Sequence, residues 1–313
     1  MAFTPPKETY TGKVYTTTIG QGDKAVTIGG EAVLPFHAFE GALPNRPVIA
    51  YEIMDIPPTE WPNTVKEAYA GVGDDPVRWA QHCEGTLKAK MIALRLTGTH
   101  PDNGNRSADD AARIVKDVLE AIKVPLIIIG SNHAEKDTEV MVKASEVAKG
   151  HNCIIGKAQE ANYKTIAASA MANDHKLIAM SELDINLSKQ LNIMITQLGF
   201  SKDRVLVDPM CSALGYGLEY TYSVMERIRL AALTQNDTMM QQPILADVGI
   251  YVWKIKEVSA TEDQLPEWGS LKERGIAWEA QTAVSLMLAG AELLIMRHPE
   301  AISSVEAFMD EMV

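Results

Sequence analysis

The sequence predicts a (β/α)8 TIM barrel of the α/β class, because eight short apolar runs alternate with amphipathic stretches along the chain. Runs of four to eight apolar residues separated by helical patterns are typical of βαβ units and a parallel sheet. Eight such units in 313 residues suit one barrel, which we expect to span residues 48–313. The runs are VIAYEIMD (48–55), MIALRLTG (91–98), VPLIIIGS (124–131), NCIIGKAQ (152–159), KLIAMSELD (176–184), RVLVDPMCS (204–212), PILADVG (243–249) and AELLIMRHP (291–299).

Residues 1–47 stand outside this alternation and predict an N-terminal extension. KVYTTTIG and AVTIGG flank the turn sequence Gln-Gly-Asp-Lys at 21–24, which predicts a β-hairpin. A hairpin that precedes the first barrel strand is expected to close the bottom of the barrel, the end at which chemistry is not expected.

Helix start signals follow several of the apolar runs. They combine a side-chain acceptor at the N-cap with a proline or an acidic residue in the first turn. The signals are Asp75–Pro76, Ser107 with Asp110, Asp137 and Pro299.

The composition predicts a cytoplasmic globular protein. A formal net charge of −12 argues against nucleic acid or an anionic membrane surface as a partner, because both require a basic face. The three cysteines are scattered and form no CxxC pair, which fits a reducing compartment and leaves no iron–sulfur or zinc framework. The N-terminal segment lacks a signal pattern, and no uncharged apolar stretch reaches about 18 residues.

The carboxyl ends of the predicted strands are the expected functional edge of a barrel. They are rich in hydrogen-bonding groups but hold no pairing that defines a reaction. His100, Asp102 and His133 could converge on a metal, yet no HxH or HExxH spacing supports this. The simpler interpretation is that these loop histidines cap helix ends.

Two further side chains at this edge could be reactive. Lys157 could serve Schiff-base chemistry, but a lone lysine on a strand more often forms a buried ion pair, for instance with Glu182. Cys211 has no histidine nearby in the sequence and is interpreted as a packed thiol. Aromatic residues in the two longest loops predict either a contact surface or a packed lid: Trp61, Tyr251, Trp253 and Trp268.

Three segments carry a resemblance to a known superfamily. VLVDPM (205–210), ILADVG (244–249) and AGAELLIMRHPE (289–300) resemble the pterin-binding barrels, which include dihydropteroate synthases and methyltetrahydrofolate methyltransferases. With the KVYTTTIGQGDKAVTIGGE hairpin and ALRLTGTHPDNGN, the whole chain resembles the small subunits of corrinoid iron–sulfur proteins of the acetyl-CoA (Wood–Ljungdahl) pathway of carbon fixation.

Two departures from the pterin enzymes support that second resemblance. Where the methyltransferases carry an acidic pterin ligand on the second strand, this chain has Arg95. Their seventh-strand asparagine corresponds to Asp247. A pocket that cannot pair the donors of the pterin ring loses much of its binding energy.

The resemblance implies a methyl-carrier subunit with no catalytic residues and no metal ligands of its own. It implies a heterodimer with a large subunit that holds the iron–sulfur cluster, and a cobamide (a corrinoid with cobalt) shared between the two subunits at the mouth of this barrel. It also implies two further partners, a methyltetrahydrofolate methyltransferase and acetyl-CoA synthase. The alternatives are a pterin-dependent methyltransferase or synthase active on its own, and an aldolase-like barrel that uses Lys157.

The residues expected to bind the cobamide follow from that role. A corrin ring is a broad apolar disc fringed with amides, so polar groups at the mouth can bond its fringe while Met210 shields its face. The expected set is Thr97, Thr99, His100, Asn103, Asn132, Gln159, Asp208, Met210, Ser212, Asp247 and Gly249.

Overall fold

Eight parallel strands close into a barrel in the computed structural model, which describes residues 3–4 and 6–312. An antiparallel pair of strands precedes the barrel, whose eight strands neighbour one another in chain order until the last pairs with the first. The predicted fold class is confirmed. The strands are β1 (Thr17–Ile19), β2 (Val26–Ile28), β3 (Val48–Met54), β4 (Met91–Arg95), β5 (Leu126–Ile129), β6 (Ile154–Ala158), β7 (Lys176–Met180), β8 (Val205–Asp208), β9 (Ile244–Asp247) and β10 (Ala291–Met296).

The α-helices of the described residues follow the barrel strands in sequence, and most pack around the barrel. They are α1 (Asn63–Ala68), α2 (Pro76–Gly85), α3 (Ala108–Ala121), α4 (Ala134–Val147), α5 (Tyr163–Ala172), α6 (Ile185–Gln197), α7 (Leu218–Leu233), α8 (Val248–Val252), α9 (Leu271–Leu288) and α10 (Pro299–Met312). None of these helices has the length and apolar character needed to cross a membrane.

Most of the predicted helix starts are confirmed. The Asp75 carboxylate accepts from the backbone N–H groups of Val77 and Arg78, and Ser107 Oγ accepts from Asp110 N. Each bond satisfies a donor that the first turn of a helix leaves without a backbone partner.

The start predicted at Asp137 is wrong. Helix α4 begins at Ala134, with the His133 ring as the N-cap acceptor for Lys136 N. Asp137 lies inside the first turn and is buried, and its carboxylate accepts from Ser131 N, Ser131 Oγ and Asn132 N at 2.7–2.9 Å. An aspartate in the first turn resembles a cap in sequence because both places favour a carboxylate near free N–H groups.

The barrel interior is layered by the two-residue alternation of its strands. Apolar side chains fill the lower and middle levels, among them Ala50, Ala93, Leu206, Leu245 and Ile295. The hairpin contributes to the same cluster of buried side chains through Ile19 and Ile28. Two residues beyond each of the five barrel positions, at the upper level, the strands carry charged residues.

Candidate functional site

A continuous chain of six buried charges forms the top interior layer of the barrel. Its members, which we call the ionic floor, are Glu52, Arg95, Lys157, Asp208, Asp247 and Arg297. Three carry positive and three carry negative charge, and each of these side chains is at most 9% exposed. Because parallel strands end at the same level, these residues from six strands or strand ends meet at one height.

One half of the floor is centred on Glu52. Arg95 Nε lies 2.5 Å from Glu52 Oε1, and Arg297 Nε lies 2.7 Å from Glu52 Oε2. The Arg297 guanidinium also stacks over the ring of Trp61 at 4.4 Å from the ring centroid. Each guanidinium therefore has a carboxylate partner, which repays part of the cost of burying the charge.

The other half is centred on Asp247. Arg95 Nη2 bonds both carboxylate oxygens of Asp247, at 3.0 and 2.8 Å. Lys157 Nζ lies 2.7 Å from Asp247 Oδ2 and 2.7 Å from Asp208 Oδ2. The buried ion pair predicted for Lys157 is confirmed, but the predicted partner, Glu182, is wrong.

Glu182 is excluded by its position. It lies beyond the end of β7 and is exposed, whereas Asp208 and Asp247 point into the barrel from β8 and β9. Interior residues of a barrel meet others at the same level, and those partners need not come from the neighbouring strand.

The network fixes the protonation of its members. Burial favours the neutral form of Glu52, but Arg297 and Arg95 outweigh it and hold the pKa of Glu52 below its ordinary value. Arg95 and Lys157 likewise overcome burial and lower the pKa of Asp247. Asp208 and Asp247 raise the pKa of Lys157 although burial opposes this. Lys157 is therefore charged at neutral pH, and an amine nucleophile would have to be neutral.

Glu279, a buried acid outside the ionic floor, has a raised pKa where Glu52 and Asp247 have lowered ones. The Glu279 carboxylate of α9 accepts from Arg297 N at 2.7 Å and His298 N at 2.9 Å. Burial outweighs these bonds and raises the pKa of Glu279 to about 7. Its side chain is fully buried, so its role is to hold the backbone that follows β10.

An open cavity of about 390 Å³, the mouth cavity, lies above the floor. Arg95 and Lys157 reach it from below, and Asn132, Gln159, Met210, Tyr251 and Lys254 are among the residues around it. It shares Gln159, Met180 and Glu182 with a groove of about 590 Å³ along α6. It shares Met210, Tyr251 and Lys254 with a shallower groove of about 450 Å³ toward Tyr216. The three concavities form one broad, polar opening at the carboxyl ends of the strands.

Two amide side chains at the rim are free to bind a ligand. In the described part of the chain, the Asn132 side chain has no hydrogen-bond partner, and Gln159 Nε2 has only the Met180 sulfur at 3.5 Å. The Asp137 carboxylate holds the backbone of Asn132 in place by accepting from its N–H. A Cβ on residue 130 would lie 2.3 Å from the carboxyl carbon of Asp137, so only glycine at this position lets the carboxylate come so close to the loop.

The predicted cobamide residues divide into three groups. The structure brings Asn132, Gln159, Met210 and Ser212 to the opening. Asp208 and Asp247 lie beneath them in the ionic floor, where their carboxylates already face Lys157 and Arg95. The remaining residues lie in other positions: Thr97, Thr99, His100, Asn103 and Gly249.

The residues of this third group are either buried among protein atoms or exposed away from the opening. Thr99 is fully buried and its hydroxyl donates to Leu96 O, while Thr97 Oγ1 is buried with no partner in the described residues. Asn103 is exposed on the loop after β4. Gly249 is buried at the start of α8, where a Cβ would lie 2.7 Å from Arg297 Cγ.

The two loop histidines act as caps. His100 Nδ1 accepts from Asp102 N and His133 Nδ1 from Lys136 N, and their rings pack edge to face with centroids 5.5 Å apart. This is the simpler of the two roles considered for them. Asp55, which accepts from Gly98 N and pairs with Arg106, anchors the loop that carries His100.

Cys211 is a packed thiol, and the aromatic residues of the two longest loops are partly packed and partly exposed. Cys211 is buried, and burial raises the pKa of its thiol well above the ordinary value, as expected for a packed thiol. The aromatic residues are divided between both interpretations: Trp61 and Trp253 are packed, Tyr251 lines the mouth cavity and Trp268 is exposed.

Sequence reasoning missed Glu52 and Lys254. The signal for Glu52 was present, since a glutamate inside an apolar strand, two residues after Ala50, must face the barrel interior. No comparable signal marks Lys254, because its place at the mouth depends on how the loop after α8 folds.

The model of the CO dehydrogenase/acetyl-CoA synthase delta subunit family matches residues 16–308. The delta 1 subunit of the acetyl-CoA decarbonylase/synthase complex of Methanosarcina thermophila is 37% identical over 289 residues, which cover 91% of this chain and 65% of the relative. The delta subunit of the same complex in Archaeoglobus fulgidus is 34% identical, over 96% of this chain and 69% of the relative. The chain thus spans about two thirds of the length of these relatives.

Solved structures of dihydropteroate synthases share the fold. The enzyme of Xanthomonas albilineans in complex with indole-2-carboxylic acid and 6-chloroguanine has a TM-score of 0.57 at 13% identity, covering 95% of this chain and 99% of the enzyme. The enzyme of Coxiella burnetii in complex with pteroic acid has a TM-score of 0.57 at 13% identity, covering 85% and 94%. At this identity the likeness concerns the barrel alone.

Proposed function

Because the chain belongs to the family of CO dehydrogenase/acetyl-CoA synthase delta subunits, as its resemblance predicted, we propose that it is the small subunit of a corrinoid iron–sulfur methyl carrier. In this proposal the barrel caps a cobamide that a large subunit shares, and it has no catalytic residues of its own. The methyl group comes from methyltetrahydrofolate through a separate methyltransferase and passes to acetyl-CoA synthase. The assembly is cytoplasmic, which agrees with three free, buried thiols.

One observation carries the proposal: free amides stand at the rim of an open cavity whose floor is already neutralised. Asn132 and Gln159 can exchange hydrogen bonds with the amide fringe of a corrin. Met210 and Tyr251 offer apolar surface beside them. The residues present therefore fit such a group, which when bound supplies the cobalt that carries the methyl group.

The chain's own part in that function is binding, orientation and exclusion of water. The rim amides fix the orientation of the ring, and the flanking side chains limit solvent at its face. The ionic floor offers no proton, since the acids Glu52 and Asp247 have lowered pKa values and Lys157 has a raised one. The protein thus supports a carrier that needs no general base.

The floor also disfavours the alternative of a self-sufficient pterin enzyme. A pterin ring donates hydrogen bonds to carboxylates, and a pocket must offer acceptors that are free. Here Asp247 is held by Arg95 and Lys157, and Glu52 by Arg95 and Arg297. Accepting a pterin at Asp247 or Glu52 would require breaking buried ion pairs.

The test uses the heterodimer co-expressed with its large subunit. The double variant Asn132→Ala/Gln159→Ala should release corrinoid at least about tenfold faster, because two hydrogen bonds to the ring are lost. Visible absorption of the purified complex during exchange measures this rate. Gln281→Ala, an exposed glutamine on α9, is the matched control and should leave the rate unchanged.

Two results would overturn the proposal. The first is a large subunit that retains corrinoid equally well with and without this chain. The second is tight binding of methyltetrahydrofolate by the isolated chain, which would favour the pterin-dependent enzyme.

A further inference from the structure

The two rim amides of the mouth cavity are held in the same way. Asn132 and Gln159 each lie between a barrel strand and the helix that follows it. The Asp137 carboxylate in the first turn of α4 accepts the backbone N–H of Asn132 at 2.9 Å. At the start of α5, the side chain of Asn162 accepts the backbone N–H of Gln159 through Oδ1, at 2.8 Å. Both rim residues therefore depend on a side chain at the start of the next helix.

Asn162 does not cap its own helix. It occupies the N-cap position of α5, where an asparagine normally accepts from a backbone N–H of the first turn, and no such bond forms. Its oxygen instead accepts from a residue three positions earlier in the chain. The side chain thus stabilises the loop that carries Gln159 in place of the end of α5.

This arrangement leaves the side chain of Gln159 available for a ligand. The Gln159 carbonyl accepts from Asn162 N at 3.0 Å and from Tyr163 N at 2.8 Å, so backbone bonds already satisfy the helix start. The Gln159 amide is not needed as a cap. Because its backbone is fixed while its side chain stays free, less conformational entropy is lost when a ligand binds.

Asn162 also connects the two rim loops. Its Nδ2 donates to the carbonyl oxygen of Ala134, the first residue of α4, at 3.4 Å. Ala134 and Asp137 share the first turn of α4, so the contacts run from Gln159 to the turn that holds Asn132. Asn162 is 7% exposed, and both ends of its amide are bonded within the protein.

We propose that Asn162 is a positioning residue of the mouth, which holds Gln159 in register with Asn132 so that both amides face one ligand. This inference rests on the proposed function, in which that ligand is the cobamide. Asn162 acts through Gln159 and is not itself the group that binds the ring. Fixing the two amides in advance lowers the entropic cost of binding.

The test measures corrinoid release from the heterodimer co-expressed with its large subunit, by visible absorption during exchange. Asn162→Ala should release corrinoid about fivefold faster, because the bond that fixes Gln159 is lost. Asn162→Asp keeps that acceptor and should stay within about twofold of the wild-type rate. The matched control is Asn173→Ala, which removes two side-chain bonds at the other end of α5 and should leave the rate unchanged.

A double-mutant cycle separates positioning from direct contact. In the Gln159→Ala background, Asn162→Ala should change the release rate by less than about twofold, since the side chain that it positions is already absent. A full fivefold effect in that background would show that Asn162 acts independently of Gln159. An unchanged rate for Asn162→Ala alone would also overturn the proposal. A wild-type rate for Gln159→Ala would instead contradict the rim contact of the proposed function, and the positioning role with it.

Hydrogen exchange gives a readout that does not depend on the cofactor. In the full chain without corrinoid, the Gln159 N–H should exchange at least about tenfold faster in Asn162→Ala than in the wild type or in Asn162→Asp. Equal exchange in all three proteins would show that Asn162 does not hold the loop, and the proposal would fail. Asn162→Gly replaces Asn162→Ala if the latter does not fold, because glycine is well accepted at an N-cap.

Discussion

Single residues of the ionic floor carry a charge and are also buried, a combination that costs free energy unless the charge is paired. Glu52, Arg95 and Lys157 are charges in the interior of a barrel, where an isolated ion is costly. They are tolerated because each contacts two oppositely charged groups at hydrogen-bond distance. Such a network adds modest net stability while every member is present, but loses much when one is removed.

Lys157→Met should therefore destabilise the fold strongly. The substitution leaves Asp208 with no cation and Asp247 with only Arg95, so we expect a loss of about 3–5 kcal/mol in the free energy of unfolding. Denaturant unfolding monitored by circular dichroism measures it.

The matched control removes a lysine from an exposed pair. Lys116→Met breaks only its contact with Glu120 at 3.8 Å on the surface of α3, and should cost less than about 1 kcal/mol. Equal losses for the two lysine variants would show that the floor does not depend on its charges.

At the residue scale, the sequence predicted more of the site's composition than of its contacts. Asn132, Gln159 and Met210 could be placed at the mouth because each follows or ends a recognisable strand. The partners of Lys157 could not be identified from the sequence, since the pairing depends on which strands bring their side chains to the same level of the barrel. Thr99 and Gly249 are buried because helical turns follow β4 and β9 almost directly and hold these residues against the strand ends.

Among the elements, the β1–β2 hairpin has a larger role than the three residues of each of its strands suggest. Ile19 and Ile28 are fully buried and belong to the cluster that includes Ile154, Leu206 and Leu245 inside the barrel. We expect the hairpin to act as the bottom layer of the barrel core, and thus as a part of the barrel's stability.

Ile28→Ala should lower the free energy of unfolding by about 2–5 kcal/mol, because it opens a cavity beneath the barrel core. Thr18→Ala on the exposed face of the same hairpin should cost no more than about 0.5 kcal/mol. Differential scanning calorimetry of the two variants distinguishes them. A small loss for Ile28→Ala would mean that the hairpin is dispensable for the barrel.

Elements were the best-predicted level. All eight barrel strands coincide with apolar runs, because strands buried on both faces must be apolar along most of their length. The start of α4 was misplaced by a few residues, because the Asp137 carboxylate bonds the loop at 131–132 that precedes the helix, while His133 provides the cap. Tertiary roles of this kind leave no local pattern.

On the scale of the whole molecule, buried acids with lowered pKa values and buried acids with raised ones respond to opposite changes of pH. Near the mouth, Glu52 and Asp247 have lowered pKa values. Their contribution to the free energy of unfolding is therefore present above the ordinary carboxyl pKa and is lost as the pH falls. At the bottom, Glu292 has a pKa raised to about 8. Its folded form binds more protons than the unfolded chain, so stability falls as the pH rises toward 8.

Glu292→Gln should reduce the pH dependence of stability between pH 6.5 and 8, and Glu279, whose pKa is raised to about 7, should supply the part that remains. Over this range the folded wild-type protein holds up to one extra proton at Glu292, which corresponds to a slope of up to about 1.4 kcal/mol per pH unit. Urea unfolding at several pH values gives the slope for each protein. Glu120→Gln should keep the wild-type slope, and an unchanged slope in Glu292→Gln would place the titrating group elsewhere.

The alternating charges of the ionic floor also limit how such a barrel can change over generations. A substitution that replaces Arg95 by a neutral residue weakens the hold on Glu52 and on Asp247 together, so it is tolerated only alongside a second change. Charge at the floor can therefore be lost or exchanged in matched pairs, but not singly. We therefore expect a neutral residue at position 95 to be accompanied by a change at Glu52 or Asp247, so that no carboxylate of the floor stays buried without its cation.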